Sequence, residues 1–247
     1  MQHYWPAWIM IGDIFMKKRV IAALVLALGV LMCACGGRNG GNSLSMNEND
    51  RAIAYLSEKY AEPFTYYGGK GDSLYGAHEL LAECESLKGR QVLVRVGTDK
   101  DKNTVYSDNY VAVKYEDEVR KYIAGFFADS FSKVNVFYDV TMEALPDTVR
   151  PEMSLEDYLA ADGPALIASI EVNASDYTGK DQIDALAKEM ASRINRLYFS
   201  VFVAKDADFY SGDDFTVLRD RRNKNDYDAY VEYELQGGEV QSEWKDK

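Results

Sequence analysis

Near the C-terminus, Tyr227, Ala229, Val231, Tyr233 and Leu235 recur at every second position between mostly charged neighbours, and Gly237-Gly238 follows at once. Alternation of period two marks a strand with one buried face. Two glycines before a second run ending in Trp244 fit a two-residue hairpin turn, whose central positions need positive φ. A turn of that length fixes the register. Leu235 is expected opposite Val240 and Val231 opposite Trp244, all on one face. The end of the chain must therefore bury one face of a sheet against another layer.

Helical periodicity supplies that layer. Residues 47–61 place Ile53, Leu56 and Tyr60 on one face, with Pro63 just past the end as a stop. Residues 116–129 carry the stripe Val119, Tyr122, Ile123, Phe126 and Phe127, led by Glu116, Asp117 and Glu118 where acids suit the helix dipole. Residues 180–195 align Ile183, Leu186, Ala187, Met190 and Ile194. A short helix over 154–160 has Ser154 as its N-cap. Strands are expected at 64–67, 79–85, 91–97, 105–115, 134–140, 165–173 and 197–204, the last central in a sheet because it is apolar on both faces. Glycine-rich 68–73 reads as a loop and 99–103 as a polar turn.

This pattern predicts an α+β fold, with two or three amphipathic helices packed on mainly antiparallel sheet. The irregular, proline-bearing stretch 143–153 suggests two small lobes, 47–140 and 141–247. Segments 116–139 and 180–206 each run from a helix into a V-x-V or V-F-V strand. They are either a degenerate repeat or two independent α/β units.

The other end of the chain is of a different kind. Lys17, Lys18 and Arg19 precede 13 apolar residues, 20–32. That is the layout of a signal peptide, and it is too short to span a bilayer as a helix. Met16 begins this signal, so residues 1–15 read as an upstream extension. Met32-Cys33-Ala34-Cys35 resembles the lipobox of bacterial lipoproteins, with Ala34 as the small residue before the modified cysteine and Gly36-Gly37 after it. The pattern departs in having Met32 where Leu is usual. Cys33 is the rival site, but bulky Met32 would precede it. The alternative is an ordinary secretory signal with a coincidental cysteine.

The resemblance implies cleavage between Ala34 and Cys35 and a thioether-linked diacylglyceryl group on Cys35. Two acyl chains hold a protein stably where one holds it marginally. It places the body on the extracytoplasmic face of the cell membrane. Glycine-rich residues 35–46 then form a flexible tether, and the twelve residues 36–47 span roughly 20 Å root-mean-square.

The full chain carries a formal charge of −12. From Cys35 onward 25 basic residues face 39 acidic ones, giving −14. Such a body repels nucleic acid and anionic headgroups, and nucleic-acid binding is not expected. The charge keeps an exported domain soluble and leaves a cationic partner open. Of the three cysteines, cleavage removes Cys33 and lipid occupies Cys35. Cys84 then has no partner for a disulfide, and the fold must rest on its core.

Candidate chemistry is sparse. His78 is the lone histidine after the signal, and neither zinc ligation nor a Cys–His nucleophile is indicated by its distance from Cys84 along one strand. Asp99, Asp101 and Asn103 begin a D-x-D-x-N calcium pattern that fails at Thr104, where glycine belongs, and at Tyr110, where glutamate belongs. Asp206, Asp208, Asp213 and Asp214 around Ser211-Gly212 are a second weak calcium candidate. The stretch 69–73 lacks the spacing of a phosphate loop. Tyr66, Tyr67 and Tyr75 flank the glycines, either as stacking surfaces for sugar or peptide or as cover for a core edge. No catalytic set and no cofactor is expected.

Beyond the lipobox the body resembles no characterised family. The expected function is a non-catalytic binding or adaptor module of the cell envelope, meeting the membrane through its lipid and a protein or glycan through its body. The alternative is an extracytoplasmic hydrolase using carboxylates or calcium. A cleft of converging carboxylates would favour the second, and an exposed apolar patch would favour docking to a partner.

Overall fold

The glycine turn does what its length demands. In the computed structural model, which describes residues 47–72, 78–141, 143–146, 148–163 and 165–245, strands β8 (Ala229–Gln236) and β9 (Glu239–Lys245) form an antiparallel hairpin. Leu235 lies opposite Val240 and Val231 opposite Trp244. Gly237 and Gly238 have φ of 60° and 85°, a left-handed conformation that side chains resist. Residues 1–46, with Ala34 and Cys35, and Tyr75 lie outside the described residues.

The hairpin completes a five-stranded sheet of order β5-β6-β7-β8-β9. Its other members are β5 (Val134–Asp139), β6 (Leu166–Asn173) and β7 (Arg196–Ala204). All neighbours run antiparallel except β6 and β7, which are parallel and joined through helix α5 (Lys180–Ala191). A parallel pair needs such a crossover, and its helix lands on a sheet face. β7 is central and buried along most of its length, as its two-sided apolar sequence requires.

One face of this sheet carries the main core. Val119, Ile123 and Phe127 of α3 (Glu116–Ala128) and Ile183, Ala187 and Met190 of α5 pack on Ile170, Val172, Val201, Val231 and Leu235. Each fully buried Leu, Ile or Phe side chain contributes about 1.5–3 kcal/mol. The short helix α4 (Leu155–Ala160) closes the same core with Tyr158 and Leu159, and Ser154 Oγ accepts the Asp157 N–H at its start. The opposite face has a smaller cluster of Phe137, Phe202, Leu218, Tyr227 and Tyr230 under helix α6 (Thr216–Lys224).

The first half of the chain makes a four-stranded antiparallel sheet, β1 (Phe64–Asp72), β2 (His78–Cys84), β3 (Gln91–Thr98) and β4 (Thr104–Asp108) in sequence order. Helix α1 (Glu48–Tyr60) lays Ala52 and Leu56 onto Leu80, Ala82, Val92, Val94 and Val96. Asn47 caps it by accepting the Asp50 N–H.

Three expectations need correction. The glycines at 68–71 do not open a loop; β1 continues through them to Asp72, with register shifts between Tyr66 and Gly68 and between Gly69 and Gly71. The extra residues are Tyr67 and Lys70, while Gly68, Gly69 and Gly71 beside them keep partners in β2; composition alone does not separate such a bulged strand from a loop. Residues 105–115 are not one strand. β4 stops at Asp108, and helix α2 (Tyr110–Lys114) follows with Val111, Ala112 and Val113 all buried. Helix α5 ends at Ala191 rather than at 195. A turn carries on to Ile194, whose N–H still reaches the Met190 carbonyl.

The stop at Asp108 has a polar cause. Its carboxylate accepts from Tyr60 Oη at 2.6 Å, Lys59 Nζ at 2.8 Å, the Tyr110 N–H at 3.0 Å and Tyr55 Oη at 3.1 Å. Next to it, fully buried Asn109 accepts the Leu93 N–H at 2.7 Å and donates to the Thr141 carbonyl at 2.7 Å. The Asp108 carbonyl takes the Leu145 N–H. Two consecutive residues thus tie α1, β3 and the segment after β5 together.

Candidate functional site

A cavity of about 250 Å³ opens beside the outer strand of the larger sheet, β5. Its back wall is the stretch from Val136 to Asp139, with Ile167 to Ser169 of β6 behind. Arg120 of α3 stands on the side of the main core, and Asp213 and Phe215 stand on the side of the smaller cluster. Ile167 and Phe215 are 48% and 49% exposed. Both are already about half covered, so a ligand that buried the rest of either would gain about 1 kcal/mol from it.

The Phe215 wall is held in place by its own chemistry. Asn135 Nδ2 donates to the carbonyls of Tyr210 and Gly212 at 2.8 and 2.9 Å. The Tyr210 ring lies parallel to Phe137 at 6.3 Å, and Phe215 meets Phe137 edge-on at 6.1 Å. A Cβ on Gly212 would lie 2.3 Å from Tyr210 Oη, so any side chain there would push the Tyr210 ring aside. Beneath the loop, fully buried Glu171 accepts from the Arg221 guanidinium and from the Tyr210 N–H at 3.3 Å. Desolvation pushes the Glu171 carboxyl above its ordinary value, against the pull of Arg221.

Charge at the mouth is net negative. Arg120 already faces Glu116 at 3.3 Å and Asp213 at 3.9 Å. Asp139 and Asp213 are both exposed. Arg120 Nε and the Tyr138 hydroxyl, by contrast, are buried with no hydrogen-bond partner among the described residues. Burial raises the Tyr138 phenol well above its ordinary range, and raises Tyr158, facing it from α4, to about 12. Neither phenol is an acid–base group at neutral pH.

The residues singled out by sequence fall elsewhere, with one exception. Asp99 accepts the N–H groups of Asp101 and Asn103, each at 2.8 Å, and Asn103 Nδ2 at 3.1 Å. Those bonds lower its pKa and commit it to closing its own turn. Asp206 accepts the Ser175 N–H, which lowers its pKa too, while the Asp208 carbonyl receives Arg221. Among the described residues no three His, Cys, Asp or Glu side chains gather as metal ligands would. Tyr66 and Tyr67, 49% and 56% exposed, lie on edge strand β1 apart from the cavity. His78 Nε2 bonds Asn49 Oδ1 at 2.9 Å, and Cys84 is buried beside Ser86. Only Asp213 reaches the cavity.

Sequence reading missed Arg120, Phe137, Ile167 and Phe215. Two of them left a signal. Ile167 is apolar at an outward position of a strand whose inward set is Leu166, Ile170 and Val172. Phe215 is a large apolar residue following an acidic run.

No family model matches the chain, and neither a curated protein nor a solved structure does. Among the described residues no helix is long and apolar enough to cross a membrane.

Proposed function

We propose that this chain is a bacterial lipoprotein, anchored through lipid on Cys35 to the extracytoplasmic face of the cell membrane. Its body acts there as a non-catalytic binding or adaptor module. The anchor rests on the sequence 16–35, with its basic start, apolar run and Ala34-Cys35 junction. The single observation that carries the binding role is the cavity beside β5. Two half-exposed apolar side chains, Ile167 and Phe215, stand there on braced walls. A preformed apolar recess with a few polar groups at its mouth is the usual form of a recognition site.

The hydrolase reading has one feature in its favour, two carboxylates at one cavity, Asp139 and Asp213. A general acid needs a carboxyl protected from water, and the Asp213 side chain is 96% exposed. Binding fits this surface better.

Metabolic labelling with a radioactive fatty acid tests the anchor, comparing wild type with Cys35→Ala. Label on wild type and none on the variant is expected; equal label on both removes Cys35 from the proposal. Affinity capture from solubilised envelope tests the body. Ile167→Lys should lose whatever wild type retains, and undiminished capture would take the cavity out of the reading.

A further inference from the structure

We infer that the β5 edge is a slot for one extended, cationic polypeptide segment, which adds to the sheet as a sixth strand. This rests on the binding-module reading and names the class of partner.

The back wall of the cavity is what distinguishes it from an ordinary pocket. Among the described residues β5 ends the sheet, with β6 as its only neighbour. In an antiparallel pair each residue either exchanges both main-chain bonds with its neighbour or turns both outward. Of the four residues Val136–Asp139, about two therefore present N–H and C=O groups to the cavity. No main-chain bond from another described segment reaches those four residues. A row of open peptide groups is matched by another extended main chain.

Side chains from both faces frame this edge. Arg120 approaches from the α3 face and Phe215 from the α6 face, and the two sides nearly meet where Arg120 Nη1 stands 3.9 Å from Asp213. A strand that pairs with β5 must first part this ion pair, whose Asp213 side chain is 96% exposed. The strand's alternate side chains would then point to opposite faces. Those on the α6 face meet Phe137, Ile167 and Phe215, which suits valine, isoleucine or phenylalanine.

Charge sets the rest. Among the described residues at the mouth the one cation, Arg120, is already opposed by Glu116 and Asp213, while Asp139 stands free of any ion pair. The chain from Cys35 onward carries −14. Lysine or arginine between the apolar positions complements both the mouth and the body, and speeds encounter at low salt.

The test uses the full lipidated protein in detergent micelles and a panel of fluorescein-labelled nonapeptides that alternate lysine or arginine with valine, isoleucine or phenylalanine. Anisotropy should show saturable binding with a Kd on the order of micromolar to tens of micromolar. Ile167→Lys and Phe215→Ser, both at half-exposed positions, should weaken it roughly tenfold while circular dichroism and melting stay unchanged. Replacing the peptide's basic residues with glutamate should abolish it. N-methylation of one alternate set of peptide amides should abolish binding, and methylation of the other set should leave it intact, because only one set faces β5. Equal binding by both methylated sets overturns strand addition, and so does the absence of binding by every peptide up to about millimolar concentration. If a soluble peptidoglycan fragment binds instead, in an Ile167-dependent way, the polypeptide inference falls and the binding module stands. If Ile167→Lys alters neither peptide binding nor envelope capture, both fall.

Discussion

Replacing Asp108 with alanine should weaken the fold by several times the loss from replacing its partner Lys59. The side chain of Asp108 is 1% exposed and receives four donors. Hydrogen bonds to a charged group contribute about 1.5–3 kcal/mol each. Lys59 is 30% exposed, so its share shrinks to about 0.5–1 kcal/mol. Desolvating the carboxylate offsets much of the remainder. In the variant, however, the Tyr60 hydroxyl and the Tyr110 N–H keep their burial and lose their acceptor. The Tyr60 ring cannot turn away, because it stacks on Tyr110 with centroids 3.9 Å apart. The net loss is about 2–4 kcal/mol, from two part-buried donors left without an acceptor. For a body of this size that lowers the melting temperature by about 10 °C. Asp108→Asn keeps two acceptor bonds and should lose about 2 kcal/mol. Lys59→Met should lose about 1 kcal/mol or less. Urea unfolding followed by tyrosine and tryptophan fluorescence reads all three. A loss below 1 kcal/mol for Asp108→Ala, or a larger loss for Lys59→Met than for Asp108→Ala, would refute the reasoning.

Other expectations follow from the same structure. Gly212→Ala should loosen the Phe215 wall at a cost of about 1–3 kcal/mol, because the new methyl displaces Tyr210; faster amide exchange confined to residues 205–215 is the readout. Glu171 has a folded-state pKa raised above the ordinary 4.5. Its favourable contribution is therefore complete below that value and is lost as pH rises through the folded one, and Glu171→Gln should flatten the fall in stability across that window. Asp176 is the opposite case: the Ser132 N–H and Asn173 Nδ2 depress its pKa to about 2. It stabilises above the ordinary 3.8 and loses that effect as pH falls towards 2, so Asp176→Asn should remove part of the acid sensitivity seen in melting curves between those values.

Periodicity carried the architecture where a single face was buried. The β8–β9 register was readable because a two-residue glycine turn leaves no freedom, and α3 and α5 were readable because their stripes are long. Legibility failed where one residue type serves two purposes. Gly68, Gly69 and Gly71 look like loop formers, yet they pair with β2 on either side of bulges at Tyr67 and Lys70. Val111 to Val113 continue an apolar run, but the break before them depends on Asp108 and Asn109 binding main chain and tyrosines from distant segments. Helix α6 gave little signal because Leu218 is its one buried residue, and arginines cover the rest.

The site was less legible than the fold, for a geometric reason. Arg120, Phe137, Ile167 and Phe215 come from four separate segments that meet only when α3 and the loop before α6 close on opposite faces of β5. Acidic clusters drew notice as metal candidates because their spacing is local. The structure commits Asp99 and Asp206 to nearby main-chain N–H groups.

The most direct measurement places a photo-crosslinking amino acid at position 215 in living cells, with a second probe at position 105 as control. Val105 is 44% exposed on the edge of the other sheet, so the two sites are similarly open to solvent. A discrete polypeptide adduct at 215, absent at 105 and lost in Cys35→Ala, the variant without the proposed anchor, is the predicted result. Adducts of equal yield at both positions, or an adduct at 215 that persists without the anchor, would contradict a membrane-tethered binding module that works through the β5 edge.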